Sequence, residues 1–237
     1  MSQTIPESDL FHVIDASKMQ DYMLCPRKYF FTHVLGWRPS QPNVHLEFGT
    51  AWHLAQEVLL EKGYNVDACT EAFQKFFEHY NQHFAGPEWE EINSPKIPAN
   101  VLRALPQYCK KYRSDLDEFD VLHIEVAGSV QIAPEKVMYF KTDTICHGPQ
   151  GYFSLEHKTG RYFGTNWAAG WRQKMQAGVY NHVLYGLYDP DDVYGVIING
   201  AFFTSAPRVK KNGEVYASDR DNEFHRVPVR KNLSQME

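Results

Sequence analysis

The sequence predicts an α/β chain in which an N-terminal helical portion leads into an αβββαβ core, a mixed central sheet flanked by helices. Three observations carry this. Apolar residues keep helical spacing up to about residue 118. Three runs rich in Tyr, Phe, Ile, Val and Thr then follow one another closely, each of strand length. A longer apolar stretch of helical period separates them from a further strand, the order that builds a layered α/β domain. At 237 residues and 43% hydrophobic content the chain has material for one substantial core. The expected division is a tail over 1–14, the helical portion over 15–118 and the sheet-bearing core over 119–233, the last two packed as one compact domain.

Taken in order, Ser17 is the expected N-cap of a short helix, and Pro26 is placed to start a second helical turn through Tyr29, Phe30 and Phe31. Phe48, Ala51, Trp52, Ala55, Val58 and Leu59 share a helical face, and Gly63 ends that helix. A third helix is expected over 67–83, with Ala72, Phe73, Phe76, Phe77 and Tyr80 as its apolar side. A Pro-rich connector over 87–98 is expected to be exposed, and a fourth helix to run over 100–116. Strands are expected over 119–126, 137–146 and 152–159, one long helix over 166–187 and a strand over 193–204. Lys211-Asn-Gly213 is a hairpin signal, and 224–229 can supply the return strand.

A formal charge of −5 excludes a uniformly basic surface, but local patches remain at Lys110-Lys-Tyr-Arg113, Arg208-Val-Lys-Lys211 and Arg226 to Lys231. Cys25, Cys69, Cys109 and Cys146 are scattered, with no CxxC and no zinc-ligand spacing, so free thiols in a reducing compartment are expected. The first residues lack the basic and apolar regions of a signal peptide. No apolar stretch approaches the roughly 18 residues of a membrane span. The expectation is a soluble, intracellular (cytoplasmic) chain with no membrane partner.

The most informative segment runs from Val137 to Lys158. Two strand-like runs flank His147-Gly-Pro-Gln-Gly151, which reads as a β-hairpin. With Gly148 to Gly151 as the loop, His147 pairs with Tyr152, and counting back sets Asp143 opposite Glu156. Directly opposed like charges are destabilising, so a cation belongs between them. Alternation places Glu156 and Lys158 on one face and Leu155 and His157 on the other. Two carboxylates and an amine at one spot suit a hard metal ion and hydrolysis.

Three further groups stand out. Gln176 and Tyr180 share a helical face, and a Gln packed on a sheet needs a hydrogen-bonding partner. Gly49-Thr-Ala-Trp-His53 puts an imidazole on an otherwise apolar helix. Tyr22-Met-Leu-Cys25-Pro-Arg27-Lys28-Tyr29 gathers a thiol, two cations and aromatics in one turn.

Together, Cys25-Pro-Arg-Lys-Tyr-Phe30, Phe48-Gly-Thr-Ala-Trp-His53, Asp143, Glu156-His-Lys158 and Gln176-x-x-x-Tyr180 resemble the RecB-like branch of the PD-(D/E)XK nuclease superfamily over roughly residues 15–230. That branch includes the AddAB and RecBCD nuclease domains, CRISPR-adaptation nucleases and phage recombination exonucleases. The resemblance implies a restriction-endonuclease-like core and a metal-dependent deoxyribonuclease, an exonuclease of DNA recombination, repair or phage DNA processing. It implies Mg²⁺ or Mn²⁺ held by His53, Asp143, Glu156 and the main-chain carbonyl of His157. Lys158 would orient water and stabilise phosphate charge, and Gln176 and Tyr180 would brace the site. Arg27, Lys28, Arg161, Arg172 and Lys174 are candidates for contacting DNA.

Relatives with the Cys-Pro motif often carry an iron–sulfur cluster using three more C-terminal cysteines. This sequence has none after Cys146, so no cluster is expected and Cys25 is expected to be a packed thiol. DNA, linear duplex or single strand, is the implied partner, with a helicase, recombinase or single-strand-annealing protein to supply any unwinding. The rival expectations are a catalytically silent scaffold, a hydrolase of small phosphoesters, and an endonuclease or CRISPR-adaptation activity.

Overall fold

A computed structural model describes residues 13–134, 136–203, 211–214, 222–232 and 234. Its centre is a six-stranded mixed sheet: β1 (Ile14–Asp15), β2 (Asp120–Ala133), β3 (Lys136–Gly148), β4 (Gly151–Gly160), β5 (Val193–Phe202) and β6 (Glu223–Val229). β2 pairs antiparallel with β3 along nearly all its length. The other edge of β3 is shared, by β4 antiparallel at one end and by β1 parallel at Met138 and Tyr139. β4 continues parallel to β5, and β6 closes the sheet antiparallel to β5.

Helices cover both faces. On one side lie α3 (Val44–Lys62), α4 (Val66–His83) and α6 (Pro98–Lys111), around the short α5 (Glu88–Asn93). Of the short helices that precede them, α1 (Ala16–Leu24) and α2 (Pro26–Tyr29), α1 packs through Ala16 and Met19 on the opposite side. The short α7 (Asp115–Glu118) leads into β2. Phe48, Trp52, Leu59, Phe76 and Leu105 form the core there, sealed against the sheet by Ala201, Phe203 and Phe224. On the other side α8 (Thr165–Gly170) and α9 (Met175–Leu187) follow β4, and Ala177, Val183 and Val179 pack on Met138, Val196 and Ile198. Burying such side chains is worth about 1.5–3 kcal/mol each, so both faces contribute to holding the sheet.

Several local expectations are corrected. Asp15, not Ser17, caps α1, accepting a hydrogen bond from the Lys18 amide at 2.9 Å. Cys25 is exposed rather than packed, and its Sγ caps α2 by accepting from the Lys28 amide. The 87–98 connector is not simply exposed: it contains α5, and Asn93, Lys96 and Pro98 are buried, Asn93 by a hydrogen bond to the Tyr80 hydroxyl. The 100–116 helix stops at Lys111, because Tyr112 leaves helical geometry. α7 then restarts the chain.

The single helix over 166–187 is two helices with a tight turn between them at Trp171–Gln173. Lys174 is extended there, so α9 starts afresh. On α4, Phe77 is 43% exposed and only Ala72, Phe76 and Tyr80 of the named stripe are buried. Strand β2 runs on to Ala133, and β5 ends at Phe202. The turn at Lys211-Asn-Gly213 is present, with Gly213 at φ 84°, and β6 is the return strand. The residues joining them, 204–210 and 215–221, lie outside those described.

The hairpin between β3 and β4 is tighter than a four-residue loop. Gly148 pairs with Gly151, leaving Pro149 and Gln150 as the turn, and His147 pairs with Tyr152. Gly151 has φ 109°, and a Cβ on it would sit 2.0 Å from the Asp192 carbonyl oxygen, so no other residue fits. Among the described residues no helix is long and apolar enough to cross a membrane.

Candidate active site at the fork in the sheet

Counting rungs back from the hairpin does not reach an Asp143–Glu156 pair. Regular pairing of β3 with β4 stops at Ile145–Ser154, and the strands part. Since β4 stays on β5 and β3 stays on β2, a fork opens in the sheet, and β1 resumes pairing with β3 only at Tyr139. Backbone groups in a fork lose their ladder partners and need others. The side chains singled out from sequence supply them.

The His157 amide donates to Asp143 Oδ2 at 2.8 Å, and the Asp143 amide donates to Glu156 Oε1 at 3.2 Å. Glu156 Oε1 also accepts from the hydroxyls of Thr142 and Ser154. The Tyr180 hydroxyl donates to the Lys141 carbonyl, and Gln176 Nε2 donates to the Tyr180 oxygen at 2.8 Å. Gln176 and Tyr180 thus brace the fork from α9.

The charged groups converge here. Lys158 Nζ lies 3.6 Å from Glu156 Oε2, an atom buried with no hydrogen-bond partner. His53 reaches in from α3: its Nδ1 is 3.4 Å from Asp143 Oδ1, and its Nε2 donates to the His157 carbonyl at 2.8 Å. The His157 carbonyl therefore holds the imidazole in place and fixes which ring nitrogen faces Asp143, the usual way an outer hydrogen bond sets a metal-binding tautomer. The His157 ring itself points into the core, where Asn199 Nδ2 donates to its Nδ1 at 3.0 Å.

Glu125 also belongs to this site, though it carried no signal in sequence. Pairing between β2 and β3 passes from Ile124–Thr144 to Val126–Thr142, leaving Glu125 beside Asp143 without a regular rung. Its φ of 54° is the left-handed conformation, costing about 1–3 kcal/mol for a non-glycine residue. One donor atom each from His53, Glu125 and Asp143 lies within 4.8 Å of the others. Glu125 is also ion-paired with Lys141. A groove of about 580 Å³ runs past them, lined by Gly49, His53, Glu57, Glu125, Lys141 and Lys158. Lys141 also borders a second groove of about 440 Å³ containing His33, Gln176 and Tyr180.

The electrostatics follow from burial and proximity. Burial, and next the Asp143 charge, push the Glu156 carboxyl up to about 7, against the opposing pull of Lys158 and the two hydroxyls. Asp143 is also buried, which alone would raise it, but the hydrogen bond and charge of His53 hold it well below the usual carboxylate range. Burial disfavours a charged His53, and Asp143 more than compensates, so His53 ends above its ordinary value. Burial pulls His157 down to about 3, keeping it neutral. The pair of acids is thus split, Asp143 held ionised and Glu156 reluctant to ionise.

The donor chemistry fits a divalent ion. Carboxylate oxygens dominate, one imidazole nitrogen is free of other partners, and a buried carboxylate oxygen lacks any hydrogen-bond donor. Such a set suits a hard divalent ion.

The predicted DNA contacts divide. Arg161, Arg172 and Lys174 are exposed on the segment joining β4 to α9, whose Trp171 ring centre lies 6.0 Å from Lys158 Nζ. Arg27 and Lys28 are exposed on α2. Lys28 is ion-paired with Asp21 at 2.6 Å, and Arg27 lies 5.7 Å from the Phe31 ring centre. Asp21 also holds His33, which lines the second groove together with Lys141, Gln176 and Tyr180. Of the remaining participants, Thr142 and Lys141 were missed because nothing in a strand sequence shows where its ladder will break.

No curated protein matches the chain. The family model of the PD-(D/E)XK nuclease superfamily matches residues 14–231, nearly the whole length. With a mixed sheet flanked by helices and an acid, acid-x-lysine set at its fork, the chain belongs to the PD-(D/E)XK nuclease superfamily, whose members are metal-dependent nucleases.

Proposed function

We propose that the chain is a Mg²⁺- or Mn²⁺-dependent DNA exonuclease of the RecB-like kind, serving recombination, repair or phage DNA processing. One observation carries the reading: Glu156 is buried with Oε2 unpartnered beside Lys158, at the fork where Asp143 and His53 meet. His53 Nδ1, Asp143, Glu125 and Glu156 are the proposed ligands. The His157 carbonyl stays in the expected set, its oxygen having a second lone pair beside the one that accepts from His53. When bound, the ion supplies an activated water and neutralises charge on the phosphate.

The remaining work falls to the chain. Asp143, held ionised by His53, keeps the site anionic at neutral pH. Lys158 aims its ammonium donors at the phosphoryl oxygens as their charge grows, a contribution that is strongest when the donor is held in place beforehand. Tyr180 and Gln176 fix the Lys141 carbonyl and with it the β3 side of the fork. Water adds to phosphorus, the bond to the 3′ oxygen breaks, and that oxygen leaves with a proton. A 5′-phosphate and a 3′-hydroxyl remain.

Exposed Arg161, Arg172 and Lys174 on the segment that follows the catalytic strand support a polyanionic substrate over a small phosphoester. The complete acid and lysine set supports catalysis over a silent scaffold. Unwinding would come from a helicase, recombinase or annealing partner.

The test is digestion of end-labelled linear and closed circular DNA with Mg²⁺ or Mn²⁺. Linear DNA should be degraded and circular DNA spared, and Lys158→Ala should lose activity by at least about 100-fold, the scale of one electrostatic donor. Undiminished cleavage by Lys158→Ala overturns the assignment, and cutting of circular DNA replaces exonuclease with endonuclease.

A further inference from the structure

A second cluster of metal-binding side chains lies away from the fork, between the first turn of α3 and the last turns of α4. His79 and His83 are one turn apart on α4, so their rings share a face. Glu47, in the first turn of α3, reaches across to both. His79 Nε2 lies 3.1 Å and His83 Nε2 3.3 Å from the same oxygen, Glu47 Oε2. All three donor atoms fall within 4.8 Å of one another, and the two rings are 5.4 Å apart at 58°, so neither blocks the other.

We propose that Glu47, His79 and His83 form a zinc site separate from the nuclease centre. Zinc binds imidazole nitrogen and carboxylate oxygen at about 2.0–2.2 Å in tetrahedral geometry, so two ligands on one ion sit roughly 3.4 Å apart. The 3.1 and 3.3 Å separations come close to that edge length with little adjustment. Two histidines one turn apart with a glutamate from a neighbouring helix are a donor set that zinc favours, and they leave one position for water.

The site differs in chemistry from the fork. Two nitrogens and one oxygen favour zinc over Mg²⁺, whereas the carboxylate-rich fork favours the harder ion. The side chains are 22–35% exposed, open enough for an ion to enter. Bound there, zinc pins the start of α3 to the end of α4. The same stretch of α3 presents Leu46, Gly49, Thr50 and His53 to the groove, so the ion would fix the helix that delivers His53.

The test is a zinc titration against a chromophoric chelator, using His53→Ala/Asp143→Ala protein so that only the helical site remains. One equivalent of zinc is expected, undisturbed by excess Mg²⁺. Adding His79→Ala and His83→Ala should weaken binding by at least about 100-fold, since even outer-shell changes cost 10–100-fold. Circular-dichroism melts without metal check that the variants fold. Should the double alanine change unfold the chain, Glu47→Gln, nearly the same shape, takes its place and should weaken zinc in the same direction. Cobalt substituted into the parent should give the visible absorption of a four-coordinate ion. Failure of the parent to hold zinc against the chelator overturns the proposal, as does equal affinity in the folded ligand variants.

Discussion

Replacing Glu156 by Gln should stabilise the metal-free protein at alkaline pH while abolishing nuclease activity. Glu156 is fully buried, and its Oε1 already receives hydrogen bonds from Thr142, Ser154 and the Asp143 amide, all of which an amide oxygen can keep. What Gln removes is the charge. Because the folded chain raises the Glu156 carboxyl from 4.5 to about 7, the native state binds a proton that the unfolded chain has released across that interval. More protons on the native state means that stability falls as pH rises through the window. At about 1.36 kcal/mol per pH unit the loss reaches at most about 3 kcal/mol by pH 8.

His53 acts in the same direction. Its pKa is raised, so its contribution is full below 6.5 and is lost as pH climbs past its folded value. The depressed Asp143 contributes stability above 3.8 and loses it only under acid, outside this range. The assay is thermal melting from pH 5 to 8 in a chelator. Wild type should lose up to ~6–12 °C across the range, and Glu156→Gln should flatten most of that slope and melt higher at pH 8. Mn²⁺ should remove the slope from wild type by displacing the protons. A wild-type melting temperature that is flat or rises from pH 5 to 8, or a slope unchanged in Glu156→Gln, refutes the reasoning.

Three other outcomes follow from the structure. Tyr180→Phe deprives the Lys141 carbonyl of its donor and should cost about 1–3 kcal/mol in a denaturant melt; DNA cleavage should fall more than Mn²⁺ affinity does, as measured by calorimetry. Arg226 makes paired hydrogen bonds to buried Asp115 and lies 3.9 Å from the centre of the Tyr112 ring. Arg226→Ala leaves that buried carboxylate without its counter-charge, with the Tyr64 hydroxyl still donating to it at 3.1 Å, and should destabilise by about 3–5 kcal/mol in urea, with no specific effect on metal binding. Gly151→Ala should fail to give soluble folded protein, because its Cβ meets the Asp192 carbonyl at 2.0 Å in a backbone conformation only glycine favours, a result expression and circular dichroism would show.

The parts of the site that sequence exposed are those set by local pattern. The hairpin register at His147–Tyr152 follows from a Gly-bounded turn between two β-rich runs. Lys158 falls beside Glu156 because strand side chains alternate. The meeting of His53 with Asp143 came from resemblance, as no local rule links residues on α3 and β3. The fork escaped both routes. Whether a ladder continues past Ser154 depends on competition between backbone pairing and the hydroxyls and carboxylates of Thr142, Ser154, Asp143 and Glu156, and only the packed sheet decides it. Glu125 was hidden for the same reason, since it enters the site through a kinked rung and not through strand alternation. The broken helix before α9 was missed because its apolar spacing carries on through the extended Lys174.

The two acids stand in for missing sheet partners, each taking the amide proton of the opposite strand, and this gives the protein a built-in indicator. A cation arriving at the fork must draw electron density from both carboxylates, and the amide protons of Asp143 and His157 would feel it directly. In a nitrogen-15 spectrum these two resonances should move first and together as metal is added. Slow exchange of the same protons with heavy water would then time how often the fork opens.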